Sequence, residues 1–263
     1  MRTSDGEGMV IQERDRHLLR ELALLRVIDR EQAKMIAGFW STTRANRRLL
    51  ALVRTGLLKR FFLGTRGAGQ KSIYGISRKG AALVAMPYRG LQRRNDESLV
   101  ADLFVQHQLA VNDLYCSLTH TPIPIPGISC ERWVHFFQPV VPEIRLIPDG
   151  YVELRAHNVT IACFLEIDRG VETLKTWTEK VRNYLQLALT GTFEREFHQQ
   201  SFRVLVIANS ARRMLSIRKA VLTMTTKIFW FATLADAQGE GFFNPIWLRP
   251  KGEDRLPLID QPS

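Results

Sequence analysis

The chain has 263 residues, of which 45% are hydrophobic, and it carries 37 Lys and Arg against 26 Asp and Glu. This apolar content is enough for folded cores, so composition excludes a disordered protein. No apolar run approaches the roughly 20 residues that span a bilayer, and the amino terminus lacks the apolar segment of a secretory signal, so we expect a cytoplasmic protein without a membrane partner.

The excess positive charge is confined to the first third of the chain. Residues 1–90 contain eighteen Lys and Arg against seven Asp and Glu, whereas the two signs balance over residues 91–263. Between Glu31 and Asp96 there is no acidic residue. Since a solvated surface normally mixes both signs, this segment predicts a polyanionic partner, which we take to be double-stranded DNA. A surface that serves solubility alone is the weaker interpretation.

Residues 1–88 are predicted to form a winged helix-turn-helix domain. Leucines at helical spacing predict a first helix over residues 12–26. Asp29 is a candidate cap for a second helix, Arg30–Ala37, which Gly38 ends. A third, basic helix and a strand hairpin complete the order of elements that is typical of this DNA-binding fold.

The third helix and the hairpin carry the predicted DNA contacts. The helix begins at Ser41 or Thr42, buries an apolar face and ends at Gly56. Runs at residues 57–63 and 71–76 predict strands joined by a flexible, glycine-rich turn. A third helix of this kind enters a major groove, and the hairpin lies along a phosphate strand. The predicted DNA-binding residues are Ser41, Thr42, Thr43, Arg44, Arg47, Arg48, Arg54, Lys59, Arg60, Arg66 and Lys71.

Residues 99–250 are predicted to form a second domain, which a linker over residues 89–98 joins to the first and a tail over residues 251–263 follows. Its first element is a long amphipathic helix capped at Asn95 or Asp96. We interpret the polar residues on this helix as surface or capping groups; they are His107, Asn112 and Asp113.

Strand and helix patterns then follow in quick order. Strands are predicted at residues 128–137, 151–156, 159–168, 203–209 and 227–233. A helix over residues 171–189 precedes the fourth strand, and a helix capped at Ser210 precedes the fifth. The last two strands are short apolar runs, which is typical of buried parallel strands. The whole chain is therefore predicted to be α+β, with a mixed sheet in its second domain.

Three carboxylates are predicted to gather at neighbouring strand edges. Asp149 precedes the second strand of this domain, while Glu166 and Asp168 end the third, where residues two apart share one face. Converging carboxylates repel each other unless they hold protons or a hard divalent cation, so magnesium or manganese held by Asp149 and Glu166 is one interpretation. The alternative is a salt-bridged sheet edge in which Arg169 or Lys180 pairs with the carboxylates.

The element order, with PD before one strand and ExD at the end of the next, resembles the PD-(D/E)xK nuclease fold. In that fold the aspartate and the glutamate hold metal, and a lysine two residues further on helps to activate water. Asp168 stands at the lysine position here, so the resemblance implies a lysine from the following helix, Lys175 or Lys180. The implied catalytic residues are Asp149, Glu166, Asp168 and Lys180.

Several motifs also resemble those of one family of plasmid and mobile-element proteins. They are the run through His107, Asn112 and Asp113, PDG at Asp149, LEIDRGVET over residues 165–173, and Lys180 with Tyr184. Over residues 10–250 the chain resembles the replication-relaxation family, which joins a winged helix to a domain of the nuclease-like kind. The resemblance implies a role in the replication or DNA relaxation of a mobile element. The EIDRG run looks usual for that family, which implies a function for Asp168.

Three functions follow as hypotheses. The first is a DNA-binding protein that acts in replication or relaxation, with replication or mobilisation proteins as further partners. The second is a magnesium- or manganese-dependent DNA endonuclease or nickase. The third is a transcriptional regulator whose C-terminal domain dimerises. The sequence leaves open whether the protein forms a homodimer, because no heptad repeat or apolar patch indicates one.

Overall fold

The computed structural model describes residues 9–64, 69–90 and 103–259, and it divides the chain into two compact units. Unit 1 comprises Met1–Pro122 and unit 2 comprises Ile123–Ser263. Both units contain helices and strands, so the predicted α+β class is confirmed. Within the described residues, no helix has the length and apolar character that a membrane crossing requires.

Unit 1 combines helices with a small antiparallel sheet. Its described elements are α1 (Glu13–Leu25), β1 (Ile28–Asp29), α2 (Arg30–Ala37), α3 (Thr42–Arg54), β2 (Leu58–Gly64), β3 (Gln70–Ile76), α4 (Arg78–Leu83) and α5 (Leu103–Thr119). Strand β3 pairs with both β1 and β2, which gives the strand order β1-β3-β2. The predicted order of three helices followed by a hairpin is confirmed.

Local capping signals set the ends of α2 and α3. The side chain of Asp29 accepts a hydrogen bond from the backbone N–H three residues on at 2.9 Å, and Ser41 does the same at 3.2 Å. Gly38 and Gly56 adopt φ angles of 62° and 74°, a region that residues with a side chain rarely occupy. The predicted starts and ends of both helices are therefore confirmed.

Helix α5 packs within unit 1, although the sequence analysis placed it in the second domain. Its residues Val105 and Leu109 lie in one apolar cluster with Val27, Leu63 and Ile73. The unit boundary accordingly falls after Pro122 and not in the predicted linker. An amphipathic pattern reveals that a helix has an apolar face but does not identify the surface that covers it. The predicted cap of this helix lies outside the described residues.

Buried polar groups attach α5 to the start of unit 1. The side-chain amide of Asn112 donates to the backbone oxygens of Leu25 and Val27, at 3.2 and 2.6 Å. The amide of Gln32 in turn donates to Asp113 Oδ1 at 2.6 Å. Asn112 has no exposed surface, so its interpretation as a surface or capping group was wrong. Its amide thus finds buried backbone acceptors, as a polar group without exposed surface requires.

Unit 2 is built on a five-stranded mixed sheet. Its described elements are β4 (Ile128–Val134), β5 (Gly150–Ala156), β6 (Val159–Asp168), α6 (Leu174–Leu189), α7 (Thr192–Phe197), β7 (Arg203–Ala208), α8 (Ala211–Leu222), β8 (Phe229–Thr233) and the short α9 (Leu234–Asp236). The strand order is β4-β5-β6-β7-β8. The first three strands pair antiparallel, and β6, β7 and β8 run parallel, so the predicted mixed sheet is confirmed.

Helices α6 and α8 pack on one face of this sheet. Phe164 of β6 and Val206 of β7 share an apolar cluster with Trp177 of α6 and Ile217 of α8. Since alternate residues of a strand face the same side, Glu166 and Asp168 point to the same side of β6 as Phe164. Both carboxylates are therefore directed into the space beneath the two helices.

The segment predicted as a C-terminal tail is attached to unit 2 at Leu256 and Leu258. Trp247 and Leu256 exchange backbone hydrogen bonds of 3.1 and 2.9 Å, and Leu258 is 1% exposed. The sequence analysis missed this packing because the apolar residues of the segment are too few to form a periodic pattern.

Candidate functional site

Helix α3 has a buried apolar face and an exposed basic face. The buried face consists of Ala45, Leu49 and Leu52. The opposite face exposes Thr43, Arg44, Arg47 and Arg54. Arg47 lies four residues after Thr43, three after Arg44 and seven before Arg54, so these residues form one stripe along the helix. Within the part of the chain that the structure describes, the three guanidinium groups of this basic stripe engage in no hydrogen bond or ion pair.

Arg48, which was predicted to contact DNA, is directed into unit 1. Its Nε donates to Asp15 Oδ1 at 2.8 Å, and its Nη2 donates to Asp15 Oδ2 and to the backbone oxygen of Val10. Asp15 has no exposed surface. The hydrogen bonds to Asp15 raise the pKa of Arg48 above its ordinary value. Arg48 therefore joins α3 to α1 and is not part of the exposed basic stripe.

Two basic side chains of the hairpin have partners within unit 1. Arg60 donates to Ser72 Oγ at 2.7 Å, and its guanidinium carbon lies 4.6 Å from the ring centre of Phe62. Lys71 Nζ lies 2.5 Å from Asp29 Oδ2. Both residues remain exposed, because their charged ends lie on the surface of the sheet. Arg60 therefore has no carboxylate partner among these contacts, whereas Lys71 pairs with a carboxylate that is itself buried.

The other predicted contacts fall at the start of α3 and in the hairpin. Ser41 caps the helix, Thr42 accepts a hydrogen bond from a lysine of α2 at 3.4 Å, and Thr43 is exposed. Lys59 is half-buried on β2. Arg66 lies outside the described residues.

Two further features border the basic stripe. The side chain of Trp40, which directly precedes α3, is 92% exposed. A cavity of about 320 Å³ lies between α3 and the hairpin, with Asn46 and Leu50 on the helix side and Arg60 and Lys71 on the strand side. The sequence analysis gave no role to Trp40. Its position beside a basic helix was visible in the sequence, but its exposure was not.

In unit 2, Glu166 is buried beneath α6 and is 1% exposed. Its Oε2 accepts a hydrogen bond from Lys180 Nζ at 2.7 Å, and its Oε1 accepts one from the Tyr184 hydroxyl at 2.6 Å. Lys180 Nζ also lies 2.8 Å from Glu172 Oε1. Because Lys180 and Tyr184 are four residues apart on one face of the helix, α6 presents both donors to the same carboxylate.

Burial shifts the pKa of Glu166 toward neutral pH. Burial raises the pKa of Glu166 to about 7; Lys180 opposes this change, while repulsion from Asp149 adds to it. Burial would lower the pKa of Lys180, but the nearby carboxylates, led by Glu166, outweigh it and raise that pKa above its ordinary value. Lys180 therefore keeps its proton at neutral pH. Glu166 titrates in the range that suits an acid or base.

Asp149 is held beside the C-terminal end of β6 by hydrogen bonds to the backbone of that strand. Its backbone N–H donates to the oxygen of Leu165 at 3.1 Å, and its Oδ2 accepts a hydrogen bond from the Ile167 N–H at 2.7 Å. These bonds to the residues on either side of Glu166 place the two carboxylates close enough to interact electrostatically. Asp149 is half-buried, so the pair comprises one deeply buried and one more accessible carboxylate.

Asp168 has a different set of partners. Its Oδ1 accepts hydrogen bonds from Arg213 Nε at 2.8 Å and from the Gly170 N–H at 2.7 Å. Its Oδ2 accepts from Arg213 Nη2 and from Trp177 Nε1, both at 2.7 Å. Burial acts to raise the pKa of Asp168, but these donors outweigh burial and lower it. Asp168 therefore fastens β6 to α6 and α8.

The predicted carboxylate group is thus divided between two roles. Glu166 and Asp168 share a face, as expected, and the predicted pairing with Lys180 is found at Glu166. Arg169, the other expected partner, is not the residue that neutralises Asp168. That residue is Arg213, 45 positions away in the chain, for which the sequence offered no local signal. The other implied lysine, Lys175, is exposed on α6.

A comparison with protein-family models matches residues 19–199 to the family described as replication-relaxation. The matched range includes α3, Asp149, Glu166 and Lys180, and it ends before Arg213. No curated protein and no solved structure matches the chain. Because the match covers more than half of its residues, the chain belongs to the replication-relaxation family, which points to a role in the replication or relaxation of mobile elements.

Proposed function

We propose that unit 1 is a winged helix-turn-helix domain that binds duplex DNA during the replication or relaxation of a mobile element. The observation that carries this proposal is the basic stripe of α3, in which Arg44, Arg47 and Arg54 are exposed and have no carboxylate partner among the described residues. Guanidinium groups in this state can bind phosphates and the edges of guanine bases.

The dimensions of unit 1 support this docking. Helix α3 has 13 residues and is therefore roughly 20 Å long, and a B-form major groove of roughly 12 Å admits a single helix. Its buried face anchors it to the rest of unit 1, so the basic stripe is the face left for DNA. Arg60 and Lys71 on the hairpin then supply cations at the adjoining phosphate strand.

A double substitution in the full-length chain tests the proposal. Arg44→Gln with Arg47→Gln removes two charges from the stripe without touching the buried face. We expect weaker binding to a labelled duplex in fluorescence anisotropy. We also expect the slope of log Kobs against log salt to fall by about 0.9 for each phosphate contact that is lost.

The matched control is Arg182→Gln with Arg212→Gln, which removes the same charge from exposed positions of unit 2. This control should retain wild-type affinity and salt slope. An equal loss in both double variants, or no loss in the first, contradicts DNA binding through α3. A footprint confined to the promoter of the protein's own gene would favour the transcriptional regulator instead.

We propose as a second function that unit 2 is a metal-dependent DNA endonuclease or nickase. The observation in its favour is the group formed by the accessible Asp149, the buried Glu166 and the protonated Lys180. Magnesium is bound in many proteins by one or two carboxylates together with water, and each carboxylate oxygen can accept more than one partner. Asp149 and Glu166 therefore fit as a donor pair for magnesium or manganese.

Each residue of this group has a different role in the proposed reaction. A metal ion held by Asp149 and Glu166 would supply a water molecule of lowered pKa for attack on the phosphodiester. Lys180 carries positive charge beside Glu166 and is placed to stabilise charge that develops on the phosphate. Asp168 keeps α6 in position through Trp177, so it acts on the site through the helix that bears Lys180.

Cleavage of supercoiled plasmid in the presence of Mg²⁺ or Mn²⁺ tests the second function. Asp149→Asn and Lys180→Met should abolish nicking, whereas Glu179→Gln, an exposed carboxylate on the same helix, should not change it. If no metal-dependent cleavage is found, or if cleavage survives in Asp149→Asn, the nuclease proposal is rejected. The DNA-binding proposal is unaffected by either result.

A further inference from the structure

A group of metal-ligating side chains occurs in unit 1, away from the basic stripe. His17 and Glu21 are four residues apart on α1 and therefore lie on one face of that helix. His120 follows directly after α5. One ring nitrogen of each histidine and one carboxylate oxygen of Glu21 all lie within 4.8 Å of one another. The packing of α5 in unit 1 thus brings together residues that are about a hundred positions apart in the chain.

From this geometry we propose that His17, Glu21 and His120 form a binding site for a divalent transition-metal ion of the zinc class. Zinc is bound by imidazole nitrogen and carboxylate oxygen at roughly 2.0–2.2 Å, commonly through three protein ligands and one water. In a tetrahedron of that size the ligand atoms are roughly 3.4 Å apart. The measured separation of His120 Nε2 and Glu21 Oε2 is 3.5 Å.

The state of His120 is the second observation. Its Nε2 atom is buried and makes no hydrogen bond with any of the described residues, and it faces Glu21 Oε2 at 3.5 Å, at the far limit of a hydrogen bond. In the tautomer whose lone pair lies at Nε2, the imidazole and the carboxylate oppose two acceptors, and a cation between the two atoms satisfies both. A buried polar atom without a hydrogen bond calls for such an explanation.

A supporting contact holds the carboxylate ligand. The Tyr115 hydroxyl donates to Glu21 Oε2 at 2.6 Å. The ring of His120 lies 5.4 Å from that of Tyr115 and 5.7 Å from that of His17, with edge-on geometry in both cases. The side chains of Glu21 and His120 are only about 15% exposed, so both are largely shielded from solvent. Partners of this type orient the ligands in metal sites.

The ligand set also distinguishes this site from the carboxylate pair of unit 2. Imidazole suits zinc, copper and nickel, whereas magnesium prefers oxygen donors alone. A metal at His17, Glu21 and His120 would connect α1 to the end of α5, which are the first and last described helices of unit 1. Its expected effect is therefore to stabilise unit 1.

Titration of full-length, tag-free protein with Co²⁺ tests the site directly, because four-coordinate Co²⁺ has visible absorption bands. We expect bands that saturate at one ion per chain and show no thiolate charge-transfer absorption. Zn²⁺ should displace the Co²⁺ and raise the melting temperature, and millimolar Mg²⁺ should do neither. Absence of a stoichiometric band, or displacement by Mg²⁺, overturns the proposal.

Single substitutions then assign the ligands. His17→Gln and His120→Gln should each weaken Zn²⁺ binding by at least the roughly 10–100-fold that loss of a supporting partner costs, and Tyr115→Phe should weaken it within that range. The control is His198→Asn, an exposed histidine of unit 2 whose φ of 57° asparagine tolerates. Unchanged affinity in the histidine variants, with a native circular dichroism spectrum, overturns the site, as does an equal loss in the control.

Discussion

The candidate sites of the two units use charged side chains in opposite ways. In unit 1, the guanidinium groups of Arg44, Arg47 and Arg54 face solvent and have no carboxylate partner among the described residues. In unit 2, the carboxylates of Glu166 and Asp168 are buried, and each has a cationic partner within 2.8 Å. Exposed charges without partners are available to another molecule, whereas buried and paired charges hold elements of the fold together.

Two pairs of adjacent arginines show that helix geometry, not residue type, decides between these uses. On α3, Arg47 is exposed while Arg48 binds the buried Asp15. On α8, Arg212 is exposed while Arg213 binds the buried Asp168. One step along a helix turns a side chain by about 100°, which is enough to move it from solvent to the interior. Each pair therefore supplies a variant and its own control.

The largest effect on stability is expected at α8. Arg213→Gln leaves the Asp168 carboxylate buried without its cation, which costs about 3–5 kcal/mol when a buried pair is broken. The neighbouring Arg212→Gln should change the free energy of unfolding by less than about 0.5 kcal/mol. Urea unfolding of both variants measures the difference. If Arg213→Gln and Arg212→Gln change the free energy of unfolding equally, the distinction between a buried and an exposed arginine on α8 is wrong.

The second effect is a pH dependence at Glu166. Its raised pKa means that the folded chain binds this proton more tightly than the unfolded chain. The bound proton on Glu166 therefore stabilises the folded chain to its full extent below about pH 4.5, and this stabilisation is lost as the pH rises through about 7. The free energy of unfolding of the wild type, minus that of Glu166→Gln, should fall on the order of 3 kcal/mol over this window.

Urea unfolding at a series of pH values measures this difference. Glu179→Gln, at an exposed position of α6, serves as the control for the loss of one carboxylate. A difference that is constant at Glu166, or one that grows as the pH rises, contradicts the assignment of a buried, neutral-range carboxyl group.

The third effect separates the two arginines of α3. Arg48→Gln removes the charged hydrogen bonds to Asp15 and should cost about 2–3 kcal/mol of stability. Arg47→Gln should leave stability within about 0.5 kcal/mol but reduce the salt slope of DNA binding by about 1. Thermal unfolding of both variants measures the change in stability, and fluorescence anisotropy measures the change in the salt slope. Destabilisation by Arg47→Gln, or a reduced salt slope with Arg48→Gln, would reverse the assignments.

The smallest effect concerns Ser41, which was predicted both as a candidate cap of α3 and as a DNA contact; the cap is confirmed. Ser41→Ala removes the acceptor for the Arg44 N–H and should cost about 1 kcal/mol. Thr43→Ala, at an exposed position two residues on, should cost less. A comparison of their melting temperatures tests the capping role. Greater loss in Thr43→Ala would show that the cap does not set the start of the helix.

Local signals in the sequence were sufficient for much of the fold. Caps at Asp29, Ser41 and Ser210, and the positive φ of Gly38 and Gly56, act within three or four residues of themselves. Strand alternation likewise placed Glu166 and Asp168 on one face. Such features depend on backbone geometry that any neighbouring sequence would share, which is why they can be predicted without knowledge of the tertiary structure.

Contacts between distant residues were not predictable in the same way. Arg48 and Arg213 look like their exposed neighbours in the sequence, and only packing reveals that Asp15 and Asp168 lie opposite them. The approach of His120 to α1 depends on the placement of α5, which the sequence analysis assigned to the other domain. Periodicity defines the faces of each element, but the pairing of faces is a property of the folded chain.

The anchoring of α5 has a practical consequence for exchanging parts between relatives. A chimera that fuses the front of this chain to the back of another protein at residues 89–98 would leave Asn112 on the wrong partner, away from the Leu25 and Val27 carbonyl groups. A crossover after Pro122 transfers the helix together with its acceptors. Recombination during evolution faces the same restriction, so the transferable module of this protein ends later than its charge distribution implies.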